Sequence, residues 1–123
     1  MLRVIGGTFL LVHAIITGGI WIPPQRGGDL KGFGGQASWL FAESRPAMVA
    51  LGATASMAIF AAGIGVLGHQ ALWAPFAAVG ALVSLGLIAA TFTPWWTAAV
   101  VINLALLYLA FESITTTQVW GAR

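Results

Sequence analysis

The sequence of 123 residues contains no cysteine and very little charge. The lack of cysteine excludes disulfide bonds, thiol chemistry and cysteine-ligated metal or iron–sulfur centres within the chain. Charged residues make up 7% of the sequence, whereas soluble domains contain about 25%. So few charges cannot cover a water-facing surface of this size, and the composition therefore argues against a soluble protein.

The charges that are present are scattered along the chain. Five lysines and arginines stand against three carboxylates, which gives a formal net charge of +2. Nucleic-acid binding requires a clustered basic surface, and this distribution does not provide one. The sequence also lacks a nucleophile–base pair, paired carboxylates and a cluster of metal ligands. We therefore expect no catalytic residue, no metal site and no enzymatic activity.

Hydrophobic residues dominate instead, at 59% of the chain. A helix needs about 20 apolar residues to cross the hydrocarbon core of a bilayer. Four segments meet this requirement, at 4–22, 46–67, 73–92 and 94–115. The sequence therefore predicts an all-α fold, an integral membrane four-helix bundle that forms a single transmembrane domain over residues 1–123, with a long first loop at 23–45.

Prolines and a glycine set the predicted ends of these spans. Pro23 and Pro24 stop the first span because proline cannot continue a helix. The prolines at positions 46, 75 and 94 suit first helical turns, where the missing N–H is no loss. Gly68 is expected to end the second span.

Tryptophans support the same boundaries. Five of the six, at positions 21, 73, 95, 96 and 120, fall at predicted span ends. Indole prefers the headgroup level, where its ring is buried and its N–H is hydrated. The sixth, Trp39, lies in the first loop within QASWLFAE, which we interpret as a short interfacial helix.

Small residues recur four positions apart in the second and third spans. The pairs are Gly52/Ser56, Ala61/Gly65, Gly80/Ser84 and Gly86/Ala90. This spacing lets helix backbones approach closely in lipid. We expect spans 2 and 3 to pack against each other through these faces; the alternative is an interface between copies of the chain.

Polar side chains occur at similar depth in all four spans. His13 and Thr17 lie near the middle of span 1, and Ser56, Ser84 and Asn103 lie near the middle of spans 2, 3 and 4. Polar groups in a bilayer face the bundle interior and pair with one another. We therefore predict an interior polar layer in which a neutral His13 is hydrogen-bonded to Asn103 or Ser56.

Two other roles for His13 stay open at this point. It could belong to a proton or substrate path, or it could bind the iron of haem or the magnesium of chlorophyll. The other histidine, His69, lies roughly 15 Å away in depth at 1.5 Å per residue. A haem held by two histidines would therefore need a second copy of the chain or a partner subunit.

Glu112 is the only carboxylate within a predicted span, about one turn from the end of span 4. We expect its side chain to reach the membrane interface. A glutamate embedded in a membrane can instead bind a proton or a cation.

The layout resembles that of small bacterial four-span proteins of the DoxX-like type. The shared features are RVIGGTFLLVHAI with its histidine in the first helix, a long first loop, and a tryptophan–proline boundary before PWWTAAVVINLALLYLAF. The resemblance implies a four-span membrane protein and no established activity, so it assigns no site residue.

These observations favour a non-enzymatic membrane subunit that scaffolds or seals a larger complex in a bacterial inner membrane. Its expected partners are membrane lipid and other membrane subunits or further copies of itself, and it could position lipid, quinone or pigment. The alternatives are a homo-oligomeric transporter that uses His13 and Glu112, and an electron-transfer subunit that binds haem or chlorophyll.

Overall fold

A computed structural model describes residues 1–21, 45–91 and 97–116, and these residues form four helices. The helices are α1 (Leu2–Trp21), α2 (Arg45–Leu67), α3 (Trp73–Thr91) and α4 (Thr97–Thr116). Each contains an apolar stretch of 18 to 22 residues that is long enough to cross a membrane. The predicted all-α, four-helix membrane fold is thereby confirmed.

The helix ends lie close to those expected from proline. Helix α2 begins at Arg45, so Pro46 lies in its first turn, and Pro75 lies in the first turn of α3. Helix α4 begins at Thr97, three residues later than the predicted start of span 4. The interfacial helix predicted around Trp39 and the tryptophans at 95, 96 and 120 lie outside the described residues.

Extensive packing joins consecutive helices: α1 with α2, α2 with α3, and α3 with α4. All four contribute to one hydrophobic core, which includes Leu10 of α1, Ile59 of α2, Ala77 of α3 and Leu106 of α4. Helices α1 and α4 therefore each pack extensively on one neighbouring helix, and each keeps much of its surface exposed.

Glycine permits the closest approach between α2 and α3. A β-carbon at Gly80 would lie 2.5 Å from Cγ1 of Ile59 and 3.2 Å from the carbonyl oxygen of Ala55. These distances leave no room for a side chain. The face of α3 that carries Gly80 thus packs against α2, as its small-residue spacing predicts, whereas a β-carbon at Gly86 would meet nothing within 4 Å.

A second close approach joins α1 to α2, and the sequence analysis did not identify it. A β-carbon at Gly63 would lie 3.1 Å from the carbonyl oxygen of Gly7 and 2.9 Å from Cδ2 of Leu11. Gly7 and Gly63 therefore bring the two backbones together. Their partners lie on different helices, so no spacing within one helix pointed to them.

Helix α2 ends at Leu67, as predicted, and a Schellman motif follows. The amide of Gln70 donates to the carbonyl of Gly65 at 2.8 Å, and the amide of His69 donates to that of Val66 at 3.4 Å. His69 occupies the left-handed position of the motif, with φ 59°. Glycine usually occupies this position. Here Gly68 lies one residue earlier, and His69 adopts the left-handed conformation in its place.

Trp73 departs from the expected interfacial role of the tryptophans. It stands at the first position of α3, but its side chain is only 1% exposed. A β-carbon at Gly65 would lie 3.0 Å from Cβ of Trp73, so the glycine makes room for the start of α3. The indole therefore fills the end of the bundle core instead of reaching outward to lipid headgroups.

Candidate functional site

The residues of the predicted polar layer lie inside the bundle. His13, Thr17, Ser84 and Asn103 are buried, and Ser56 is half-buried. Each comes from a helix interior where most neighbours are apolar. Their burial makes their hydrogen bonds the main question, because a buried polar group without a partner costs free energy.

Two of the hydroxyl groups bond to backbone carbonyls. Ser56 Oγ donates to the carbonyl oxygen of Ala14 at 2.7 Å, which joins α2 to α1. Thr17 Oγ1 donates to the carbonyl oxygen of His13 at 2.8 Å within α1. The hydrogen bond that the Ser56 hydroxyl donates thus goes to Ala14, and of the two partners predicted for His13 it is Asn103 whose side chain interacts with the imidazole.

The amide of Asn103 joins α4 to α3. Its Nδ2 donates to Ser84 Oγ at 3.2 Å and to the carbonyl oxygen of Ala99 at 2.8 Å. A carbonyl can only accept a hydrogen bond, so the contact with Ala99 fixes which end of the amide carries the nitrogen. The oxygen Oδ1 consequently points away from these partners and remains an acceptor.

Two buried polar atoms in this layer make no close hydrogen bond within the part of the chain that the structure describes. They are Asn103 Oδ1 and His13 Nε2, each with almost no exposed surface. The side chain of Asn103 also interacts with the His13 ring across the α1–α4 boundary. Asn103 is therefore the neighbour of His13 that the depth argument anticipated, and the imidazole nitrogen and the amide oxygen are complementary groups of one side-chain pair.

An apolar groove opens between α1 and α4 on one side of this pair. Its volume is about 320 Å³, which lies at the low end of the range for small-molecule sites. Its lining consists of Leu2, Ile5, Gly6, Phe9 and Leu10 of α1, Trp73 of α3, and Ile102, Ala105, Leu106 and Leu109 of α4. The buried side chains of Leu10, Trp73 and Leu106 form its floor.

Phe9 connects the groove to the polar pair. Its ring lines the groove and stacks on the imidazole of His13 with centroids 5.9 Å apart and planes 7° from parallel. On the opposite wall, Ile102 and Leu106 line the groove on either side of Asn103 in the sequence of α4. Asn103 is therefore level with the groove and His13 lies about one turn beyond Phe9, but neither side chain lines the groove.

Glu112 and His69 lie away from this site. Nine residues separate Glu112 from Asn103 along α4, a difference in depth of about 13 Å at 1.5 Å per residue. His69 is exposed in the turn between α2 and α3, where the guanidinium of Arg3 donates to its ring. Within the described residues, no group of three histidines and carboxylates could hold a metal ion.

Comparison with known proteins adds no relative. No family model, curated protein or solved structure matched the chain. The resemblance to DoxX-like proteins therefore stays a prediction based on layout, and the candidate site depends on geometry alone.

The groove is the part of the site that the sequence did not reveal. Phe9, Ala105 and Leu109 carry no polar signal, and an apolar residue that lines a groove looks the same in sequence as one that faces lipid. His13 and Asn103, by contrast, stand out as polar residues within apolar runs.

Proposed function

We propose that this protein is a non-enzymatic subunit of a membrane complex that holds a lipid-soluble molecule in the groove between α1 and α4. The observation that carries the proposal is the groove itself, an apolar cleft of about 320 Å³ between α1 and α4. Small-molecule sites are clefts lined mainly by hydrophobic and aromatic side chains, and a wholly apolar lining suits a lipid-soluble ligand. The bundle would position its ligand for neighbouring subunits.

The exposure of the two outer helices supports association with other membrane proteins. Within their candidate spans, 28% of α1 and 17% of α4 is buried, compared with 50% of α3. The open side of the groove therefore faces the bilayer, where lipid or a partner helix completes its wall. We propose the bacterial inner membrane as the location, on the layout shared with DoxX-like proteins.

The positions of Glu112 and His69 favour this function over the two alternatives. A transporter that used His13 and Glu112 together would need them in one site, and about 13 Å of depth separates Glu112 from the level of Asn103. A haem-binding subunit would draw on histidine ligands, and the Arg3 guanidinium already contacts the ring of His69. The α1–α4 groove requires neither residue.

The test is retention of a lipid-soluble molecule by the purified protein. Ala105 lines the groove and its side chain is exposed, so Ala105→Phe would fill the groove and leave the polar layer intact. Ala50 is an exposed alanine of α2 that lies outside the groove lining. Ala50→Phe is therefore a matched control that adds the same ring elsewhere.

Native mass spectrometry of each protein released from native membranes would report the bound molecules. We expect the unmodified protein and Ala50→Phe to carry the same small-molecule adduct, and Ala105→Phe to lose it. An adduct that survives in Ala105→Phe, or that disappears equally in both variants, would refute the groove as a binding site. Co-purifying membrane subunits that are retained by all three proteins would support the assignment as a subunit.

A further inference from the structure

The groove between α1 and α4 starts at one end of the bundle and stops near its middle. Its lining runs along α1 from Leu2, at the start of the helix, to Leu10, a rise of about 12 Å at 1.5 Å per residue. One leaflet of a bilayer contributes about 15 Å of hydrocarbon, half of the full thickness of about 30 Å. The groove therefore has about the length of a single leaflet, and one of its ends lies at the membrane interface.

The side chain of Arg3 lies at this interface end. Arg3 directly follows Leu2 and precedes Gly6 by three residues, so it stands one turn closer to the interface than the groove lining of α1. Its guanidinium contacts the ring of His69, in the turn that leads into Trp73 at the groove floor. The positive charge therefore lies where a lipid head group would lie if the acyl chain of that lipid filled the groove.

The contact with His69 leaves most of the guanidinium donors of Arg3 available. Within the described residues the contact is made by Nη1, and a guanidinium carries five N–H donors and no acceptor. His69 is exposed and Arg3 is half-buried, so the group can be reached from the interface. Two parallel N–H groups of an arginine can bind two oxygens of one phosphate, which adds both strength and specificity.

We propose that the α1–α4 groove binds one acyl chain of a phospholipid whose phosphate pairs with the guanidinium of Arg3. The inference depends on the proposed function, because it names the ligand class of the same groove. The head group lies outside the groove at the interface, and the acyl chain runs along the apolar lining toward Leu10 and Ile102. Glu112 of α4 lies at the same end of the bundle, so the phosphate is expected on the α1 side, where the charge is opposite to its own.

Other occupants use only part of this site. A hydrocarbon or a diacylglycerol fits the apolar lining but offers the guanidinium no anion. A helix of a partner protein is about 10 Å wide, so it would cover the opening and could not enter a cleft of about 320 Å³. A phospholipid matches both the lining and the charge, and basic pockets between transmembrane helices bind lipid head groups of this kind.

The experiment compares two lipids that share their acyl chains. Dioleoylphosphatidylglycerol carries its phosphate as the only charge, and dioleoylglycerol lacks the phosphoglycerol group. The purified protein in mixed micelles is titrated with each lipid, and native mass spectrometry measures the fraction of protein that carries an adduct. We expect dioleoylphosphatidylglycerol to bind about tenfold more tightly than dioleoylglycerol, a ratio equivalent to about 1.4 kcal/mol.

Variants of Arg3 and of the groove then assign the binding. Arg3→Gln should abolish the preference for the phospholipid and leave the affinity for dioleoylglycerol unchanged. Arg45→Gln is the matched control, because it removes the same charge at the start of α2, about 33 Å from the end of that helix at Leu67; it should keep the preference. Ala105→Phe should prevent binding of both lipids, and Ala50→Phe should prevent neither.

The outcomes separate this inference from the proposed function. Equal binding of the two lipids that Ala105→Phe abolishes would overturn the phosphate site and keep the groove function. Equal loss of preference in Arg3→Gln and Arg45→Gln would also overturn the phosphate site, because general attraction between charges would then account for the preference. Failure of both lipids to bind would overturn it as well, and the groove function would fall too if Ala105→Phe kept the adduct found in native membranes. If Arg3→Gln does not fold, the ratio of the two affinities in the unmodified protein decides the question.

Discussion

Replacing Gly80 by alanine tests the central packing contact of the bundle. The added β-carbon would meet Cγ1 of Ile59 at 2.5 Å, the amide nitrogen of Ile59 at 3.1 Å and the carbonyl oxygen of Ala55 at 3.2 Å. Two of these atoms are backbone, and Ile59 is completely buried, so α2 and α3 must separate to admit the methyl group. Overpacking of this kind costs about 1 to 3 kcal/mol.

Gly86→Ala is the matched control on the same helix. Nothing lies within 4 Å of a β-carbon at Gly86, so the methyl group enters open space. Both substitutions remove a helical glycine and therefore gain a similar amount, about 1 kcal/mol, from helix propensity. The difference between the two variants isolates the steric term, and we expect Gly80→Ala to be less stable than Gly86→Ala by about 1 to 3 kcal/mol.

The assay is reversible unfolding of the purified protein in mixed micelles, followed by circular dichroism. Equal free energies of unfolding for the two variants would refute close packing of α2 against α3 at Gly80. A larger substitution provides a second check, because Gly80→Leu should lower thermal stability further. Unchanged stability of Gly80→Leu combined with loss of association between copies would instead identify this face as an intermolecular interface.

Three further predictions concern single contacts and topology. Ser56→Ala removes the hydroxyl that bonds to Ala14 on the neighbouring helix and should lower the free energy of unfolding by about 0.6 kcal/mol. The control, Thr54→Ala, removes a bond within α2 and should lower the free energy of unfolding less. Equal effects of the two substitutions would contradict the interhelical role of Ser56. His69→Gly should be more stable than His69→Ala by about 1 kcal/mol, because only glycine adopts the left-handed conformation freely, and the opposite order in thermal unfolding would contradict the Schellman motif. Single cysteines introduced near the two termini should be labelled from the same side of the membrane, and labelling from opposite sides would exclude an even number of spans.

The fold follows from length and hydropathy, because a bilayer imposes a minimum apolar length on every crossing helix. Helix α1, for example, is predicted from its unbroken apolar run and ends within one residue of the predicted position. The depth of a residue in the membrane can also be predicted from the sequence, because residue number converts directly to rise along a helix. For this reason the burial of His13, Ser84 and Asn103 at one level was predictable.

The face that each helix turns toward the bundle interior was less predictable from the sequence. In water an amphipathic stripe marks the buried face of a helix, but in lipid both the interior and the exterior of a bundle are apolar. The sequence therefore did not indicate that α1 and α4 would leave a groove between them. Hydrogen bonds to carbonyl oxygens, such as that from Ser56 to Ala14, also escaped prediction because every residue carries that acceptor.

Each helix after the first packs on the helix that precedes it in the chain, and this order determines how the bundle can assemble during synthesis. Chains are synthesised from the amino terminus, and early elements can assemble before later ones exist. Helix α2 can dock on α1 through Gly7 and Gly63 as soon as it enters the membrane, and α3 can then dock on α2. The groove forms only when α4 arrives on α3, so a molecule that binds there recognises the completed bundle and none of its assembly intermediates.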